Sequence, residues 1–180
     1  IFKGSGVQVI NRQDAASMGM AKPGRNQITF GNDLPPTPND FGVNAEHGDA
    51  WLMHGSNALI RLGELPIKGL HNAVNALAAL ALCRAIGLDL APLFSALRNY
   101  KGLPHRVEWV AEINSISFYD DSKGTNVGAT CAALTGLPHK AVLIAGGDGK
   151  GQDFTPLSAA VKQNARAVVL IGRDAAEIGA

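Results

Sequence analysis

From residue 106 onward the chain alternates short apolar runs with helix-like stretches, and this alternation restricts its fold more than any other feature. "RVEWVAEI" and "ISFYD" flank a turn at Asn114–Ser115, which predicts a hairpin over 106–119. A helix at about 126–136 follows. Then come the strand "AVLIAGG", the helix "LSAAVKQNA", the strand "AVVLIG" and a last helix at "RDAAEIGA". The two apolar strands carry no polar alternation, so they predict a parallel sheet covered on both faces in an α/β fold.

The earlier residues read differently. Residues 1–66 are strand-like and turn-rich, with "VQVIN", "QITF", "AWLMHG" and "ALIRLGELPI" as strands. Proline-rich 34–38 predicts a surface loop between strands. From 71 the period becomes helical: Leu77, Leu80 and Ala81 recur at three and four, and Gly87 is a natural stop. A second helix over about 90–100 ends at "KGLPHR". Helices seldom continue into the residue before proline, so the Gly-Leu-Pro stretch is the expected boundary between domains at 1–102 and 103–180.

Composition excludes several classes. With 46% hydrophobic residues and a net charge of +1, nucleic acid or an anionic membrane is not the expected partner. The longest apolar run, "ALAALALC", is too short to span a bilayer. Cys83 and Cys131 have no metal-type spacing and predict buried, reduced thiols in a cytoplasmic protein. Ile1 is not a start methionine and the last helix has scarcely begun at Ala180, so a piece of a larger chain is expected.

Ligands of open parallel sheets bind beyond the carboxyl ends of the strands. Two such ends here carry unusual chemistry: "DDSKGTN" at 120–126 and "GGDGKG" at 146–151. Each puts a lysine, Lys123 or Lys150, on a loop leading to a helix N-terminus, where backbone N–H groups already favour an anion. Two lysines on nearby strand ends suit one ligand with two anionic groups. The structural alternatives are a flexible glycine turn at 146–151 and helix capping by Asp120 and Asp121. "GGDGKG" is neither a Walker A loop nor G-x-G-x-x-G. Asn72 and Asn75 share one face at a helix start, and their amides suit the edge of a purine unless Asn72 is only a cap. Arg106 stands at the expected boundary, where it can reach a phosphate or remain a surface arginine. His105 beside it reads equally well as structural, and His47, His54 and His139 lack partners at ligand spacing.

Taken in order, "GLHNAVNALAALALCRAIGL", "YKGLPHRVEWV", "YDDSKGTNVGAT" and "LIAGGDGKGQDFTPL" resemble the Mur ligases. The resemblance runs over nearly the whole chain and is closest from 69 on. It implies the tail of a P-loop-type ATPase domain over 1–102, then the first part of a Rossmann-like ligase domain over 103–180, incomplete at its C-terminus. It also implies ATP-driven amide formation through an acyl phosphate, and a monomer is expected.

The motifs favour the branch that joins D-glutamate to UDP-N-acetylmuramoyl-L-alanine in peptidoglycan precursor synthesis, and no D-N-P-R motif is present. By resemblance, Asn72 and Asn75 would face the adenine of ATP, Arg106 its phosphates and Asp121 its ribose. Lys123 and Thr125 would line the reacting centre and the incoming amino acid, with Lys123 and Arg106 the catalytic groups. Lys150 would pair with a carboxylate of D-glutamate. Mg2+ ligands, the phosphate loop and a carbamylated lysine are expected outside this stretch, which would leave it inactive alone. Glycine stands at 124 where the family commonly has alanine. The rival expectations are a folylpolyglutamate synthase-type ligase and a non-catalytic nucleotide-binding module.

Overall fold

The computed structural model describes residues 4–45, 49–67 and 69–180, so His47 lies outside the described residues. The chain forms two compact units, Ile1–Lys101 and Gly102–Ala180. Among the described residues, no helix is long and apolar enough to cross a membrane.

In the first unit the sheet runs β1 (Gln8–Asn11), β2 (Gln27–Phe30), β3 (Phe41–Asn44), β4 (Trp51–His54) and β5 (Asn57–Arg61), hydrogen-bonded in that order. β1, β2 and β3 are parallel, while β4 is antiparallel to both β3 and β5. The β4–β5 hairpin turns at Gly55, whose φ is +54°. A Cβ there would also come 2.8 Å from the Pro38 carbonyl oxygen, so glycine suits both the turn and the close approach.

Two elements escape the sequence reading. β3 is four residues with a glycine, directly after the proline-rich loop. α1 (Ala15–Gly19) is a short helix capped by Asp14, whose carboxylate accepts from Ser17 N. The run 58–67, expected to be all strand, ends at Arg61 and continues as a 3-10 turn, Leu62–Glu64.

Helix α2 (Leu70–Ala85) packs on β1, β2 and β3. Its buried residues Ala73, Ala76, Leu77, Leu80 and Ala81 follow the three-and-four spacing that the sequence shows. They close a core with Phe41, Leu52, Ile60 and Leu65, and α3 (Ala91–Asn99) adds Leu93, Phe94 and Leu97. Leu77 is fully buried there. Leu77→Ala is therefore expected to destabilise this unit by about 3 kcal/mol. Urea unfolding followed at Trp51, which lies in this unit, should show an earlier midpoint. An unchanged midpoint would mean that the α2 face is not the core.

The second unit begins with the expected hairpin, β6 (Glu108–Ile113) and β7 (Ile116–Asp120). Its turn residues Asn114 and Ser115 have φ of +51° and +60°, matching the right-handed twist of a two-residue hairpin. Then come α4 (Val127–Gly136), β8 (Ala141–Gly146), α5 (Thr155–Asn164), β9 (Ala165–Ile171) and α6 (Ala175–Ile178). β8 and β9 pair in parallel, with Val142 opposite Ala167 and Gly146 opposite Ile171. This is the α/β pattern predicted, with one difference. Val142, Ile144, Val169 and Ile171 remain exposed, so the apolar strands are not covered on both faces. The thiols also differ from expectation: Cys83 and Cys131 are free but only half-buried.

Candidate functional site

The loop after β7 is built by its own acids. Asp120 accepts from Ser122 N at 2.9 Å and meets His105 Nδ1 at 2.7 Å. Asp121 accepts from Val107 N at 3.1 Å. Neither carboxylate caps the following helix. That task falls to Asn126, whose side chain accepts from Ala129 N at 2.8 Å. The capping alternative for the acids is thereby corrected: the helix starts at Val127, too far along the chain for them to serve it. Gly124 has a local reason as well, since a Cβ would approach Asp121 Oδ2 to 2.5 Å and crowd this turn.

Asp121 and its neighbours hold the segment before β6. Lys123 N donates to the His105 carbonyl at 3.1 Å, and His105 N donates to Glu108 Oε2 at 2.8 Å. His105 and Val107 both sit in the left-handed region, with φ of +63° and +49°. For a β-branched valine this is unusual, and such residues cost about 1–3 kcal/mol each unless their surroundings hold them. Arg106, exposed, lies between them.

The second loop, 147–153, is organised in the same way. Gly149 N donates to Asp174 Oδ2 at 2.6 Å, and Lys150 N to Asp148 Oδ1 at 2.9 Å. Lys150 itself has φ of +55°. One side chain joins the two loops. Gln152 accepts from Val127 N at 3.1 Å, while its amide nitrogen donates to Thr125 O at 3.4 Å and Gly149 O at 2.9 Å. The backbones next to Lys123 and Lys150 are thus spanned by a single glutamine. Both lysines are exposed, and among the described residues neither is in an ion pair. An exposed ammonium next to N–H-rich loops and the N-terminus of α4 can receive a carboxylate or phosphate oxygen.

Asn72 and Asn75 belong to the first unit. Asn75 Nδ2 lies 3.5 Å from Asn72 Oδ1, so the shared face predicted from spacing exists. Gly69 occupies the N-cap position of α2 and has no side chain to cap with. In the same unit His54 stacks on Phe41, ring centroids 4.5 Å apart, beside an open cleft of about 310 Å³ that Asn26, Asn39 and Arg84 also line. Burial lowers the His54 pKa and the Arg84 charge lowers it further.

Sequence reasoning missed the His105–Asp120 pair, Asp174 and Gln152. The first needs the pairing of β6 with β7, which sets Asp120 opposite Glu108 and so beside His105. His105, Glu108 and Asp120 bring one ligand atom each within 4.8 Å of one another. These atoms serve the hydrogen bonds above, and one is a nitrogen, whereas Mg2+ takes oxygens in octahedral array. The set does not fit that ion.

The His105 hydrogen bond, reinforced by Ser122 N, pulls the Asp120 pKa from 3.8 down to about 2. A depressed carboxylate stabilises the fold above its unfolded value, and the gain is lost as pH falls from about 4 through about 2. Carboxyl 13C titration should place the Asp120 midpoint near 2 and move it up toward 3.8 in His105→Ala. A midpoint indifferent to that substitution would disprove the pair.

Residues 105–180 match the family described as Mur ligase, glutamate ligase domain. The chain is 60% identical, over 99% of its length, to the UDP-N-acetylmuramoylalanine--D-glutamate ligase of Methylobacillus flagellatus, and covers 39% of that protein. It is 58% identical to the enzyme of the same name from Aromatoleum aromaticum, over 99% of this chain and 39% of the relative. Its backbone matches a crystal structure of MurF from Acinetobacter baumannii with a TM-score of 0.75 at 23% identity, over all of this chain and 42% of that one. At that identity the likeness speaks for the fold alone. The chain therefore spans about two fifths of the length of the curated relatives it matches, and its residues 105–180 are similar to the glutamate ligase domain of the Mur ligases.

Proposed function

We propose that this chain is a stretch of an ATP-dependent ligase that joins D-glutamate to UDP-N-acetylmuramoyl-L-alanine. The observation that carries the reading is the Gln152 bridge, which holds the Lys123 and Lys150 loops side by side. The 60% identity to a ligase of that name supports it. On this reading the first unit is the closing part of the ATP-binding domain and the second is the first part of the ligase domain.

The chemistry follows from charge. A carboxylate takes a phosphoryl group and becomes an acyl phosphate. The amine of D-glutamate attacks the acyl carbon, loses a proton, and phosphate leaves with the bonding pair. Negative charge moves from one oxygen to the next, so catalysis rests on fixed positive groups and positioning. Lys150 holds a carboxylate of D-glutamate. Lys123 faces the charge that develops at the reacting centre, and the Thr125 hydroxyl lies beside it. Arg106 meets the phosphates. Asp121, already fixed by Val107 N, has acceptor capacity for ribose hydroxyls. The paired amides of Asn72 and Asn75 offer the donor–acceptor edge that adenine needs. Mg2+ is assigned no residue of this chain. The reading further places the protein in the cytoplasm, working as a monomer.

A hybrid tests this. The equivalent stretch of the Methylobacillus flagellatus enzyme is replaced by this chain, and ADP release is followed with ATP, UDP-N-acetylmuramoyl-L-alanine and D-glutamate. Release that requires D-glutamate is expected. A hybrid with a cooperative melt that stays silent with D-glutamate, or turns over a folate acceptor instead, sinks the reading.

A further inference from the structure

We infer that His105 and Asp120 form a positioning pair that fixes the direction of Arg106. This rests on the reading above, which gives Arg106 its anionic ligand. The motif itself contains no reason for the pair, because histidine and aspartate are far apart in the chain and meet only where β6 and β7 close the open end of the hairpin.

Arg106 is exposed, and a free arginine on an exposed segment samples many directions. Here the backbone on each side is held. His105 is gripped at its imidazole by Asp120, at its N–H by Glu108, and at its carbonyl by Lys123 N. Val107 is gripped at its N–H by Asp121. Both neighbours adopt left-handed backbone that they would leave if released. Strained residues held by side chains on both flanks of one arginine are a device for aiming it. The bond from Lys123 N to the His105 carbonyl also ties the backbone beside Arg106 to the backbone that carries Lys123. Among these bonds, the His105–Asp120 contact is the one made by two side chains, and it can be removed without touching the residues placed at the ligand. Arg106 is the group that meets the ligand; His105 and Asp120 act through it.

The test uses two readouts. In the 180-residue chain, 15N relaxation of the Arg106 amide and of its side-chain Nε–H reports order. Asp120→Ala should lower both heteronuclear NOEs, while Asp120→Asn, which keeps an acceptor oxygen, should restore them. Amide shifts in β8 and β9 serve as the check on folding. In the hybrid ligase, Asp120→Ala should raise the KM for ATP between about tenfold and a hundredfold with a smaller change in kcat, and Asp120→Asn should recover most of it. Unchanged order at Arg106 in Asp120→Ala overturns the inference, as does asparagine behaving like alanine. Lost order with an unchanged KM also overturns it, because the pair would then be structural only. If the hybrid is inactive with this chain unaltered, the ligase reading fails, and the relaxation data alone decide the pair.

Discussion

Lys150→Ala in the hybrid ligase is expected to raise the KM for D-glutamate about 30-fold with little change in kcat, whereas Lys123→Ala lowers kcat by about a hundredfold or more. The difference follows from where each ammonium acts. A charge-assisted hydrogen bond to a carboxylate present in both ground and transition states contributes about 2 kcal/mol, and its loss appears in KM. A cation facing charge that develops only during the reaction contributes to kcat, and losing one such donor costs about 10² to 10³. Exposed lysines on the free surface would contribute far less, because water screens them. Effects below about threefold at both positions would therefore mean that neither lysine meets the ligand.

Gly146→Ala has the largest expected effect on folding. Gly146 ends β8 with φ of +151°, directly opposite Ile171. A Cβ at this position would overlap the Ile171 carbonyl oxygen. That oxygen also accepts from Gly147 N at 3.1 Å, so the strand end and the start of the lysine loop share one anchor. The backbone must move to admit a methyl group, at a cost of about 3 kcal/mol. Hydrogen exchange should show faster opening of β8 and β9 amides, with α2 amides unaffected. The same substitution displaces the Lys150 loop, so in the hybrid it should mimic Lys150→Ala. Protection equal to that of the unaltered chain would contradict the packing at this strand end.

The fold was legible wherever local pattern and burial agree. The α2 stripe, the hairpin turn at Asn114–Ser115 and the alternation after 120 all write their period into neighbouring residues. β3 was not legible, because four residues with a central glycine carry too little periodicity. Exposure of Val142 and Ile144 was equally hidden: an apolar strand shows that it can be covered, not that it is.

At the site, the lysines stood out because glycines and acids surround them in sequence. Gln152 did not, although it joins the loops, since a glutamine in a polar loop looks like any other. The acids were visible and their task was not. Asp120 and Asp121 reach back across the hairpin to residues 105–107, and contacts of that range leave no mark on local spacing.

The account stands on the nearness of two ammonium groups, and a short amine-reactive cross-linker applied to the 180-residue chain measures it directly. Peptide mapping should recover a Lys123–Lys150 link within one molecule, depleted when Gln152→Ala frees the loops. If Lys123 instead links only to other lysines while Lys150 reacts singly, the two loops do not present one site and the proposed ligand geometry is wrong.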